Sequence, residues 1–129
     1  MAKLRVELVS PERKIWTGEA DMVIAKTLDG EIGILPGHAP VLGTMVDGSV
    51  VRITPTGGGD AVAAMVSGGF LSVASNEVSV LAEYAELGGE IDVNAAREEY
   101  ERASALEGDD ADVAQRRAQA RLRAAGLEV

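Results

Sequence analysis

Few residues in this chain have the type and spacing that covalent chemistry needs. It contains one histidine, His38, and no cysteine. A site with two imidazoles, a thiolate nucleophile or thiolate metal ligands is therefore excluded. His38 stands in Gly37-His38-Ala39-Pro40, a turn sequence in which a lone imidazole is more often a surface residue than a general base or a ligand. The run Thr56-Gly57-Gly58-Gly59-Asp60 has the glycines of a phosphate cradle. It lacks the Lys-Ser/Thr pair and the helix that follow a phosphate loop, so it reads as a hairpin turn. No serine lies in a nucleophile-elbow pattern, and no two carboxylates share an apolar setting that would part their pKa values. The residue set fits a binding or mechanical part better than an enzyme.

Charge carries more information. Arg116, Arg117, Arg121 and Arg123 give the segment 113–125 a charge of +4, directly after Glu107, Asp109, Asp110 and Asp112. The whole chain carries -9, from 12 basic and 21 acidic residues. Four exposed arginines on so acidic a protein point to an acidic partner; a solvated helix face is the plainer alternative. The same acidity argues against binding nucleic acid through phosphates, which requires a basic face, and against adsorption to anionic lipid. No apolar run approaches the ~20 residues of a membrane span. The start, MAKLRVELVS, lacks a signal-peptide core, so the chain is expected to be cytosolic as made.

The elements that would position these residues fall into two textures. Of 15 glycines, 11 lie in residues 1–87, whereas residues 88–129 hold 10 alanines in 42 positions. Two units are expected, 1–87 and 88–129, joined near Gly88-Gly89. In the first, Leu4, Val6 and Leu8 alternate with Lys3, Arg5 and Glu7 at the period of a half-buried strand. Apolar or alternating runs recur at 14–17, 21–28, 31–35, 49–54, 61–67, 70–74 and 77–82, with Gly, Pro and Asn turn signals between them. Short strands without intervening helices predict an antiparallel sandwich or barrel with an aliphatic core. In the second unit, Asp92 is placed to cap a helix running to about Leu106, with Val93, Ala96, Tyr100 and Ala103 on one face. Asp112 is placed to cap a second helix, with Gln115 completing a capping box and Gly126 ending it. Its inner stripe would be Ala114, Ala118, Leu122 and Ala125, giving an antiparallel two-helix hairpin. Alanine stripes bury little, about 1 kcal/mol or less per side chain. The hairpin should therefore pack weakly and be able to exchange partners.

Three stretches carry a family resemblance. They are Gly30-Glu31-Ile32-Gly33-Ile34-Leu35-Pro36-Gly37-His38-Ala39-Pro40-Val41, Ser67-Gly68-Gly69-Phe70-Leu71-Ser72-Val73, and Asn76-Glu77-Val78-Ser79-Val80-Leu81-Ala82-Glu83. Together with the opening Leu4, Val6, Val9-Ser10-Pro11-Glu12, they resemble the epsilon subunit of F-type ATP synthases. The likeness spans essentially the whole chain. It implies a β-sandwich of about ten strands followed by a helical hairpin.

The resemblance also implies a non-catalytic rotor part. The sandwich would bind the gamma subunit and rest on the ring of c subunits, coupling proton flow to ATP synthesis at the alpha and beta subunits. Glu31, Gly33, Pro36 and His38 match the ring-contacting segment; Pro36 and Pro40 would stiffen it while Gly33 and Gly37 permit tight turns. The hairpin would be regulatory. Folded, it lies on the sandwich; extended, it inhibits ATP hydrolysis, with Arg116, Arg117, Arg121 and Arg123 meeting an acidic segment of beta. No cofactor is required, but some relatives bind regulatory ATP through Ile/Leu-Asp-x-x-Arg-Ala. Here Ile91-Asp92 match, while Ala95 holds the arginine position. The nearest arginine, Arg97, lies about 200° further round a helix. Asp92, Arg117 and Arg121 are the residues that such a nucleotide would use. The implied location is peripheral, on the cytoplasmic side of a bacterial cell membrane. A free-standing sandwich module with an aromatic-lined pocket is the alternative, and 3% aromatic residues speak against it.

Overall fold

The computed structural model describes residues 2–127. Nine strands come first: β1 (Leu4–Val9), β2 (Lys14–Thr27), β3 (Gly30–Ile34), β4 (Val41–Thr44), β5 (Ser49–Pro55), β6 (Val62–Val66), β7 (Gly69–Ala74), β8 (Glu77–Ala82) and β9 (Ala85–Leu87). A single 3-10 turn, Gly88–Glu90, leads into α1 (Val93–Ser104) and α2 (Asp109–Ala124). The strands follow the order β4-β7-β8-β1-β2-β5-β6-β9, with β3 paired to β2. Every pairing is antiparallel except β1 with β8, which is parallel.

The runs read at 14–17 and 21–28 are one strand. The chain stays extended through Gly18, because the first half of β2 pairs with β1 and the second half with β3 and β5. β2 therefore carries the sheet round from one layer of the sandwich to the other. The strands β4 and β9 are additional. With four and three residues, they are too short for a period of two to show.

Alternation builds the core. Leu4, Val6 and Leu8 of β1, Val51 and Ile53 of β5, and Leu71 and Val73 of β7 point inward and are essentially inaccessible to water. Each large aliphatic side chain removed from water in this way contributes about 1.5–3 kcal/mol. A second, smaller cluster lies outside the sandwich. There Met65, Ile91, Ala96, Ala120, Leu122 and Ala124 pack with Val50, Ala63 and Tyr100. This cluster attaches the helices to the outward face of β5 and β6.

Asp92 caps α1, its Oδ1 accepting the Ala95 N–H at 3.1 Å. α2 starts three residues before the expected Asp112 cap, with Gly108 at its N-cap. Starting early places Asp110 and Asp112 in the first turn, where carboxylates complement the exposed N–H groups. Gln115 therefore completes no capping box; its Nε2 reaches across to the Ala103 carbonyl of α1 at 2.9 Å. The stop at Gly126 is as expected. With φ of 94°, it closes a Schellman pair, Gly126 N–H to Arg123 O and Leu127 N–H to Leu122 O, both 3.0 Å.

Candidate functional site

The hairpin is seated on the sandwich by small residues and held at its rim by ion pairs. Two glycines allow the close approach. A Cβ on Gly48 would lie 2.8 Å from the Arg117 backbone nitrogen, and one on Gly88 would collide with the Ala124 carbonyl. Ala120 and Ala124 of α2 are buried beside Met65. α2 thus buries two stripes, one toward α1 and one toward β5 and β6, where a single inner stripe was expected.

The arginines close the rim. Arg117 makes a bidentate pair with Asp47, at 2.9 Å from Nε to Oδ1 and 2.8 Å from Nη2 to Oδ2. Arg116 Nε donates to the Asp47 carbonyl at 3.3 Å. Arg121 donates from Nε to Glu86 at 2.8 Å and from Nη1 to Glu99 of α1. The Arg121 side chain is only 14% exposed, so it is not the solvent-facing group that its sequence context suggests. Hydrogen bonding to Arg117 holds the Asp47 carboxyl below the usual carboxylate range. Burial of Arg121 works against its charge, but its bonds to Glu99 and Glu86 outweigh that and raise its pKa. Another bidentate pair fixes the neck: Arg13 Nη2 and Nη1 meet Glu90 at 2.7 and 3.2 Å.

Asp92, Arg117 and Arg121 are not all brought together. Arg117 and Arg121 share one cleft, of about 420 Å³, with Glu83, Glu86 and Glu99, and Asp92 is not part of its lining. The cleft therefore holds three carboxylates against two guanidinium groups. Asp92 spends its carboxylate on the α1 cap.

The segment 30–40 divides. Glu31 and Gly33 belong to β3, where they pair with Lys26 and Ile24. Gly33 is thus within a strand rather than at a turn. Pro36 and His38 stand in the loop beyond the strand end, and Gly37, with φ of 88°, makes its turn. The Gly37 N–H donates to Asn76 Oδ1 at 2.7 Å, and the His38 N–H donates to the Leu35 carbonyl at 3.1 Å. The loop is tied to the β7–β8 turn and presents Leu35, 55% exposed, at the surface.

One surface went unread in the sequence. Leu42, Phe70 and Leu81 are 78%, 53% and 51% exposed. Phe70 lies opposite Leu81, and Thr44, two residues from Leu42, lies opposite Phe70. All three side chains thus share the outward face of β4, β7 and β8, on the layer away from the helices. The signal was present: Phe70-Leu71 and Val80-Leu81 each place an apolar residue at the outward position of an alternating strand. Among the described residues no helix is long and apolar enough to cross a membrane.

Comparison with known proteins fits this architecture. Residues 3–88 match the family model described as ATP synthase, Delta/Epsilon chain, beta-sandwich domain. The chain is 54% identical over 129 residues to the ATP synthase epsilon chain of Thermobifida fusca, covering 98% of this chain and 94% of the relative. It is 51% identical over 123 residues to the epsilon chain of Streptomyces avermitilis, covering 95% of each. Among solved structures, a chain of the Euglena gracilis mitochondrial ATP synthase superposes with a TM-score of 0.81 at 22% identity, over 97% of this chain and 82% of that one. A chain of the Tetrahymena thermophila central stalk and c-ring structure gives 0.61 at 18% identity, over 93% and 92%. A sandwich matched over its length and relatives matched end to end make the chain a member of the ATP synthase delta/epsilon family, and within it a non-catalytic epsilon chain.

Proposed function

We propose that the chain is a central-stalk rotor subunit whose sandwich transmits rotation and whose hairpin restrains ATP hydrolysis. The uncovered face at Leu42, Phe70 and Leu81 is the docking surface for gamma; burying three apolar side chains grouped on one face supplies a non-polar anchor. The loop bearing Pro36 and His38 rests on the polar loops of the c ring, with Glu31 and Gly33 on the adjoining strand. Its ties to Asn76 and Leu35 supply the stiffness that a torque-bearing contact requires. Association with the membrane is indirect, through these partners, on the cytoplasmic side of a bacterial membrane.

The observation that carries the regulatory half is the seam. α2 is held to the sandwich by small side chains and by ion pairs of Arg117 with Asp47 and Arg121 with Glu86. Such an element can exchange one set of carboxylates for another at modest cost. Raised, the hairpin extends toward the catalytic subunits, and Arg116, Arg117, Arg121 and Arg123 meet an acidic segment of beta. The experiment is ATP hydrolysis by the cognate synthase reconstituted with the full chain or with a truncation ending at Gly88. Hydrolysis should rise on truncation while the complex still assembles. Unchanged hydrolysis in an assembled complex removes the regulatory role and leaves coupling through the sandwich.

A further inference from the structure

A different cleft lies on the other edge of α2 and is formed by the docked hairpin. It encloses about 320 Å³ between the outward face of β2, β3 and β5 and the Arg116–Arg123 stripe of the helix. Lys26 and Arg52 enter from the sheet, Arg116 and Arg123 from the helix, and among the described residues Glu31 is the only carboxylate in its lining. Four of the chain's 12 cations thus converge on one concavity of a protein whose net charge is -9.

The placement follows from register. Ile24 pairs with Arg52 and Lys26 with Glu31. Lys26 and Arg52 are therefore diagonal neighbours on adjacent strands, about 7–8 Å apart at the backbone. Arg116 and Arg123 are seven residues apart on one helix face, about 10 Å along its axis. Among the described residues, neither the Lys26 ammonium nor the Arg52 guanidinium makes an ion pair or side-chain hydrogen bond; the Lys26 carbonyl accepts from the Val46 N–H at 3.0 Å. Arg116 uses its Nε on the Asp47 carbonyl, which orients the guanidinium and leaves its Nη groups to donate elsewhere. Like charges gathered this closely repel one another, and a bound polyanion relieves that repulsion. Ile24, Val46 and Val50 form an apolar floor.

We infer that this cleft binds a small multivalent phosphate anion, held by Lys26 and Arg52 from the sheet and by Arg116 from α2. Glu31, directly opposite Lys26, limits the net charge of Lys26, Arg52 and Arg116 to +2 and disfavours a ligand lying flat along β3. The volume is at the low end for ligand sites and suits a di- or triphosphate group. The site exists only while α2 lies on the sheet. It shares Glu31 with the proposed ring-facing segment and Arg116 with the proposed contact to beta, and it lies apart from the acidic cleft at Arg117 and Arg121.

The test is isothermal titration of inorganic pyrophosphate, and separately of ATP, into the full chain at low ionic strength. A Lys26→Gln/Arg52→Gln variant is compared with a Lys3→Gln/Lys14→Gln variant of equal net charge. Saturable binding should weaken about tenfold per charge removed in the first variant, about 1.4 kcal/mol each, and stay within twofold in the second. Equal affinity for the two ligands assigns recognition to the phosphates alone; tighter ATP binding adds the apolar floor. Amide NMR shifts on the unaltered chain should move at Ile24, Arg52 and Ala120, which keeps the result independent of how well the variants fold. No heat with millimolar pyrophosphate, equal weakening in both variants, or shifts confined to Glu86, Glu99 and Arg121 would each overturn the inference.

Discussion

Between the two layers of the sandwich, Leu4, Leu8, Ile34, Ile53 and Leu71 are wholly removed from water. Between α2 and the outward face of β5 and β6, the corresponding positions are Ala120, Ala124, Ala63, Val50 and Met65. Each large core side chain is worth about 1.5–3 kcal/mol of burial and an alanine well under half of that. The seam makes up part of the difference with geometry and charge. Gly48 and Gly88 let backbones approach, and Arg117 and Arg121 pair with carboxylates. Ion pairs of this kind return little net free energy where water still reaches them. The sandwich should therefore behave as one cooperative body, and the hairpin as an element with a lower opening energy of its own.

The sharpest way to break the contrast is to damage the core. Leu71→Ala leaves a cavity between the layers and should cost about 2–5 kcal/mol of global stability, read by denaturant unfolding of the sandwich. Gly88→Ala attacks the seam instead. Its new Cβ meets the Ala124 carbonyl, an overpacking of about 1–3 kcal/mol. The helices should lose amide protection while β1 and β7 keep theirs. Arg121→Gln leaves Glu86 and Glu99 without their cation and should cost roughly 1–2 kcal/mol of docking, measured by the distance between labels on α2 and β5.

The smallest effect is pH-dependent. Asp47 titrates below the ordinary carboxylate value in the docked state because Arg117 hydrogen-bonds its ionised form. A depressed carboxyl pKa contributes stability at higher pH and loses it as the pH falls through the ordinary value, about 4, and then through the depressed one. Docking should therefore weaken below about pH 4, by less than about 1 kcal/mol at this half-exposed pair. An Asp47→Asn variant should show less of that pH dependence when label distances are followed across the range.

The core was legible because alternation survives in β1, β5 and β7, where one face is buried and the other wet. The Asp92 cap and the Gly126 stop were legible because both are local chemistry. The continuity of β2 was not, since Gly18 within it carries a turn-like signal that tertiary pairing overrides. The seam was out of reach for another reason. Asp47 and Arg117 are 70 residues apart and Glu86 and Arg121 are 35 apart, and no periodicity links partners at that distance. The arginines were found as a charged stripe, but their docked partners appear only once the helix is laid on the sheet. The run at 31–35 makes Glu31 and Gly33 legible as strand residues, which the pairing of β3 with β2 bears out, and the resemblance supplies the loop at Pro36 and His38.

Native-state hydrogen exchange on the full chain tests the separation of seam from core most directly. Amides of α1 and α2 should exchange through an opening of lower free energy than those of β1, β7 and β8. Gly88→Ala should widen that gap by lowering only the helical values. A single common opening energy for strands and helices, shifted together by Gly88→Ala, would contradict it.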